Sequence, residues 1–172
     1  MTRHIVLVGL PGSGKTTVGR LVAETLQAPL VDIDAIVTRK EGRPIQMIFA
    51  EKGEATFREL EKLEMETALA GPPSVIAPGG GWAAQPDALG SVQGRALLIY
   101  LKTRADTAAG RAAPQGNRPM LSGEDPAAQM REMLRERESF YVQAEVQVET
   151  DRRRPAEVAA EIVRLARDRG GW

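Results

Sequence analysis

Residues 9–16 read Gly9-Leu10-Pro11-Gly12-Ser13-Gly14-Lys15-Thr16, a full match to the phosphate-binding pattern G-x-x-x-x-G-K-S/T. The stretch before it, HIVLVGL, is a short apolar run. The stretch after it, TTVGRLVAETL, carries apolar residues at helical spacing. The motif therefore lies between a buried strand and a helix N-terminus, where its mechanism requires it. Glycines let backbone N–H groups curl around phosphate oxygens, and the helix dipole adds favourable potential. Lys15 supplies a point charge, and the Thr16 hydroxyl suits Mg²⁺. These residues imply binding of a nucleoside triphosphate.

Working outward, short strand-like runs at 4–9, 29–32, 73–77, 95–101 and 145–149 alternate with helical patterns. The helices are expected at 14–27, 33–42, 44–51, 53–70, 103–112, 126–143 and 155–169. Such alternation predicts an α/β fold with a parallel sheet covered by helices on both faces. Gly42-Arg43-Pro44 and Gly71-Pro72-Pro73 punctuate it, Pro126 and Pro155 open helices, and Thr103 is the expected cap of the helix after the fourth strand.

The chain has 172 residues, the size of one domain. Acidic and basic residues both number 23, and this balance argues against a nucleic-acid or membrane-surface binder. There is no cysteine, which excludes disulfides, thiolate catalysis and cysteine-ligated metals. His4 is the only histidine, so no histidine triad or multi-histidine zinc site can form, and it reads as a strand-edge residue. With no signal peptide and no apolar run of transmembrane length, a soluble, cytoplasmic, monomeric protein is expected.

Asp32 and Asp34 form a D-x-D at the end of the second strand, where alternation would aim both carboxylates to one side of the crevice. One of them has the alternative role of capping the next helix. Arg58 sits in EATFRELEKLEMETAL beside Phe57, Glu61 and Glu64. Gly79-Gly80-Gly81 follows the third strand, where missing side chains allow close approach of a ligand to backbone. Residues 113–124 carry little periodicity and many turn formers, and are read as a lid bearing Arg118. Arg137 lies in a later helix.

Together these motifs resemble the shikimate kinase family. The similarity runs from GLPGSGKTTVGR through VDIDAIV, EGRPIQMIF, GEATFRELE, the GGG triplet, NRPML and RESFY to DRRRP. The phosphate loop alone is shared by many nucleotide kinases. The combination of D-x-D, F-R-x-x-E, G-G-G and R-P-M-L at these spacings is specific.

The resemblance implies a P-loop NTPase-like three-layer α/β/α fold with a five-stranded parallel sheet in order 2-3-1-4-5. It implies a substrate-binding subdomain at about 33–60 and transfer of phosphate from ATP to the 3-hydroxyl of shikimate with Mg²⁺. Lys15 and the loop from Gly12 through Ser13, Gly14 and Thr16 to Thr17 would hold phosphates. Thr16 would ligate Mg²⁺, with Asp32 helping through water. Asp34 would orient or deprotonate the attacking hydroxyl, and Arg118 would reach the transferring phosphoryl. Arg58 and Arg137 would clamp the acceptor carboxylate beside Gly79, Gly80 and Gly81, with Phe49, Phe57 and Glu61 as walls. Arg111, Arg153, Arg154 and Pro155 would border adenine.

Trp82 departs from the family's small or aliphatic residue after the triplet. Packing into the core is expected, and narrowing of the acceptor pocket is the alternative. The Arg169-Gly170-Gly171-Trp172 tail reads as a frayed end. A gluconate-type sugar-acid kinase and an inactive nucleotide-binding module are the rival functions, and an acceptor panel separates them.

Overall fold

The computed structural model describes residues 1–112 and 125–172. The expected lid, with Arg118, lies outside the described residues. In chain order the elements are β1 (His4–Val8), α1 (Lys15–Leu26), β2 (Leu30–Asp32), α2 (Ile33–Glu41) and α3 (Ile45–Ala70). There follow β3 (Val75–Ala77), a 3₁₀ turn (Trp82–Ala84), α4 (Ala88–Val92), β4 (Ala96–Lys102), α5 (Ala105–Ala112), α6 (Pro126–Tyr141), β5 (Val146–Glu149) and α7 (Pro155–Arg169). The sheet is parallel throughout, in order β2-β3-β1-β4-β5. Helices cover both of its faces, so the expected architecture is found.

Alternation along the central strands splits the core into two layers. Ile5, Leu7, Leu97, Ile99 and Leu101 face α1 and α7. Val6, Val8, Leu98 and Tyr100 face α3, α5 and α6. Each fully buried aliphatic side chain contributes about 1.5–3 kcal/mol, and these strands supply many. The layers hold the strand ends, and the loops that leave them, in fixed relation.

Expected boundaries mostly hold. The two helices expected at 44–51 and 53–70 run as one element broken at Gly53, whose φ of 83° and ψ of 164° interrupt the helical backbone. α4 and the 3₁₀ turn were not expected. Five residues containing Gly90 and Ser91 give no periodic signal, and tertiary packing of Ala88 and Val92 holds them helical. Thr103 does not cap α5. Its hydroxyl pairs with that of Thr150 at 2.6 Å, joining the ends of β4 and β5.

Two expectations are overturned. His4 is not an edge residue: β1 is the middle strand, and His4 is buried. Its Nδ1 accepts from the Ser74 N–H at 3.2 Å, so Nε2 carries the proton and donates to the Leu69 carbonyl at 3.2 Å. Burial holds the imidazole below its ordinary pKa, and the neutral ring is part of the core.

The C-terminal tail is docked rather than frayed. The Arg3 N–H donates to the Gly170 carbonyl at 2.9 Å, and the Trp172 indole N–H donates to the Arg3 carbonyl at 3.0 Å. The indole packs on the α1/α7 layer. Deleting residues 170–172 is expected to cost about 2 kcal/mol, lowering the Tm by roughly 4–8 °C in a domain of this size. Thermal melts followed by circular dichroism check this, and an unchanged Tm would refute it.

Candidate active site

The phosphate loop joins β1 to α1 at the carboxyl edge of the sheet. Gly12 (φ 80°) and Gly14 (φ 98°) take left-handed backbone that only glycine adopts without strain. A Cβ on Gly12 would also overlap the Ala108 carbonyl of α5. α1 begins with no side-chain cap and no acidic residue in its first turn, so its leading N–H groups face an incoming anion. Lys15 is buried and donates to the Gly9 and Leu10 carbonyls at 2.8 Å each, folded across its own loop.

Asp32 serves in two ways. Its Oδ1 caps α2 by accepting from the Ala35 N–H at 3.1 Å, while Oδ2 accepts from the Thr16 hydroxyl at 2.9 Å. Asp34 does not share a strand with it, because β2 ends at Asp32 and Asp34 stands in the first turn of α2. The strand-alternation argument for that pair therefore fails. Helix geometry still brings Asp34 to the same cavity of about 80 Å³, which is lined by Lys15, Thr16, Asp32, Asp34 and Pro78.

A neighbouring cavity of about 280 Å³ brings Gly12, Ser13, Thr17, Arg111, Arg153 and Pro155 together, with Thr150 as a further wall. Arg154 is not among them. It is largely exposed and pairs with Glu157 at 2.9 Å, so of the adjacent arginines only Arg153 turns inward. Nothing in the Arg152-Arg153-Arg154 run distinguishes the three from sequence.

The glycine triplet is packed by three different groups. A Cβ on Gly79 would lie 2.8 Å from Glu61 Oε2 and 3.0 Å from Asp34 Oδ1. One on Gly80 would meet Pro11 of the phosphate loop at 2.8 Å. One on Gly81 would overlap Arg58 Nη2 and lie 3.0 Å from Arg137 Nη2. The triplet thus spans from two carboxylates, past the phosphate loop, to two converging guanidiniums on α3 and α6.

Arg58 is fixed in place. Its Nη1 donates to Glu61 Oε1 at 2.8 Å, and its Cζ stands 5.2 Å from the centre of the Phe57 ring. Phe57 in turn lies against Phe49, with ring centres 5.0 Å apart. Burial pushes the Glu61 carboxyl up to about 7; the Arg58 guanidinium opposes the rise and the Asp34 charge adds to it.

Trp82 is buried in the core, as expected. It also lines a groove of about 490 Å³ between α3 and the 82–91 segment. Arg58 and Glu61 reach this groove but no phosphate-loop residue does. Lys15, Thr16, Asp32 and Asp34 collect instead in the smaller cavity. Among the described residues no cluster of three or more metal-ligating side chains occurs, and no helix is long and apolar enough to cross a membrane.

The phosphate loop thus lies near two converging guanidiniums, Arg58 and Arg137. The sequence model of shikimate kinase matches residues 11–167. The chain belongs to the shikimate kinase family. A shikimate kinase of Symbiobacterium thermophilum is 43% identical over 170 residues, covering 97% of this chain and 98% of that one. The solved shikimate kinase of Acinetobacter baumannii in complex with shikimate superposes with a TM-score of 0.93 at 32% identity, covering 98% of this chain and 94% of that one. A gluconokinase of Sinorhizobium meliloti, at 18% identity and a TM-score of 0.69 over 99% of this chain and 94% of that one, shares the fold alone.

One site property has a direct readout in the pH dependence. If Arg58 binds an acceptor carboxylate, ionised Glu61 competes for the same guanidinium, and acceptor binding then favours protonated Glu61. The acceptor KM is expected to rise as pH increases through about 7, while the KM for ATP stays flat. Because the folded pKa lies above the unfolded value of 4.5, Glu61 also contributes stability below that value that is lost as pH rises through about 7. Glu61→Gln is expected to flatten both profiles. Steady-state kinetics and melts across this range would refute the assignment if the variant kept the wild-type slope.

Proposed function

We propose that this chain transfers the γ-phosphoryl group of ATP to the 3-hydroxyl of shikimate. The observation that supports it best is the convergence of Arg58 and Arg137 on Gly81, a short span from Asp34 and the phosphate loop. Two guanidiniums suit a small acid's carboxylate, since charge-assisted, two-pronged hydrogen bonds are the strong ones.

In this reading the leading N–H groups of α1 and the Lys15 ammonium receive the β- and γ-phosphates. Lys15 exchanges its two loop carbonyls for phosphate oxygens. The residues fit Mg²⁺: a hydroxyl already paired with a carboxylate in the lining of the small cavity suits an ion that keeps most of its waters. Thr16 would hold it directly and Asp32 through water, and when bound it neutralises charge on the β- and γ-oxygens.

The carboxylate clamp fixes the acceptor with its hydroxyl toward Asp34. Asp34 accepts the hydroxyl proton as the oxygen bonds to phosphorus and the bond to the leaving ADP oxygen breaks. Phosphoryl transfer needs mainly positioning and charge neutralisation, which a chain without cysteine and with one buried histidine can supply. Arg111, Arg153 and Pro155 would border the nucleoside, and Arg118, outside the described residues, would neutralise charge on the transferring group. Coupled ADP release with Mg-ATP and shikimate, quinate or gluconate tests the proposal. Turnover with shikimate over the other two is expected; preference for gluconate, or ATP binding with no acceptor-dependent turnover, would overturn it.

A further inference from the structure

Tyr141 closes α6 and is completely buried, and neither the phosphate loop nor the carboxylate pair uses it. It stands four residues beyond Arg137, one helical turn on, so both present to the same side of α6. Its ring stacks on Tyr100 of β4, with centres 5.1 Å apart and planes at 29°. Its hydroxyl donates to the carbonyl of Gly80.

The triplet carbonyls are each held by a protein donor. The Trp82 N–H donates to the Gly79 carbonyl at 3.1 Å, and the Gln85 side-chain amide donates to the Gly81 carbonyl at 3.0 Å. Tyr141 holds the one between them. A trans peptide is planar, with its C=O and the following N–H pointing in opposite directions. No cis peptide occurs among the described residues. Fixing the Gly80 carbonyl toward α6 therefore fixes the Gly81 N–H the other way. Glycine leaves this peptide free to rotate unless something outside it restrains it.

We infer that Tyr141 is a positioning residue for the acceptor: its hydroxyl locks the Gly80–Gly81 peptide so that the Gly81 N–H faces the carboxylate held by Arg58 and Arg137. The inference rests on the proposed acceptor reading. α6 then carries both a charged arm of the clamp and the group that orients the backbone beside it. Burial pushes the Tyr141 phenol up to about 12, against the opposing pull of the Arg137 and Arg58 guanidiniums, so the hydroxyl remains a donor at any working pH. Acceptor binding and peptide orientation are linked: a flipped peptide would present a carbonyl oxygen to an anion.

Tyr141→Phe keeps the ring stack and removes the hydroxyl, losing both its donation to the Gly80 carbonyl and the hydrogen bond it accepts from Arg137. It is expected to raise the acceptor KM by roughly five- to twentyfold, with kcat and the ATP KM near their wild-type values. Tyr100→Phe, which keeps the same stack, is expected to leave all three unchanged. A structural role alone would lower the Tm without this split between acceptor and ATP. The chain has two tyrosines, so fluorotyrosine incorporated into Tyr100→Phe protein labels Tyr141 alone. Its fluorine NMR signal is expected to move on adding shikimate and to stay put on adding ADP, which decides the matter even if Tyr141→Phe fails to fold. An unchanged acceptor KM in folded Tyr141→Phe, equal rises in both KM values, or a fluorine signal blind to shikimate would overturn the inference. Failure of the acceptor reading itself would appear separately, as absent shikimate turnover by the wild-type protein.

Discussion

Asp34→Asn is expected to reduce kcat by about a thousandfold while leaving ATP binding close to normal. A positioned general base contributes on the order of 10²–10⁴ in rate, and asparagine keeps the shape while losing the basic oxygen. Two carboxylates flank Gly79, and the surroundings decide between them. Glu61 is tied to Arg58 at 2.8 Å and lines no part of the phosphate cavity. Asp34 lines that cavity beside Lys15 and Thr16, where a hydroxyl attacking phosphorus must stand. Single-turnover kinetics with calorimetric ATP binding check the prediction. A kcat within tenfold of wild type would remove Asp34 from the base role, as would an equal loss of ATP binding.

Gly81→Ala is expected to raise the acceptor KM by about a hundredfold with a small change in Tm. The backbone at Gly81 has φ −91° and ψ −4°, ordinary for alanine, so the substitution carries no conformational penalty. The new methyl overlaps the ends of two long side chains, Arg58 and Arg137, which yield at little cost to folding. They yield by leaving the geometry that the carboxylate needs. Two displaced charge-assisted contacts of about 1.5 kcal/mol each correspond to roughly a hundredfold.

Arg58→Ala is a blunter probe. It removes one arm, at about 1.5–3 kcal/mol, but also strands a buried Glu61, which lowers stability. Comparing the two variants by acceptor KM and by Tm separates the clamp from the ion pair. A Gly81→Ala protein with normal acceptor KM would mean that the arginines do not hold the acceptor together.

The parts of this architecture written locally were legible in the sequence. The phosphate loop, the apolar runs of β1 and β4 and the proline-led starts of α6 and α7 depend on neighbours within a few residues. Asp34 stands beside the phosphate loop through helix geometry and not strand alternation, because a strand of three residues gives no alternation to read and Asp32 already caps the helix. His4 and Trp172 were misplaced because their partners lie far along the chain, at Leu69 and Ser74 and at Arg3. Arg153 and Arg154 look alike in one dimension and differ only once a helix start turns one inward. Tyr141 lay inside a recognised motif, yet its hydrogen bond to Gly80 spans 61 positions and leaves no local trace.

The docked tail has a topological consequence. Thr2 and Arg3 bond directly to Gly171 and Gly170, so the two ends of the chain meet beside the first strand. A short peptide joining them would close the polypeptide into a ring, and the ends could then be reopened at a surface loop elsewhere. Such a permuted molecule is expected to keep the order of strands in space while changing their order of synthesis. Native strand order in it would show that the architecture is specified by which segments touch, and not by which segment comes first.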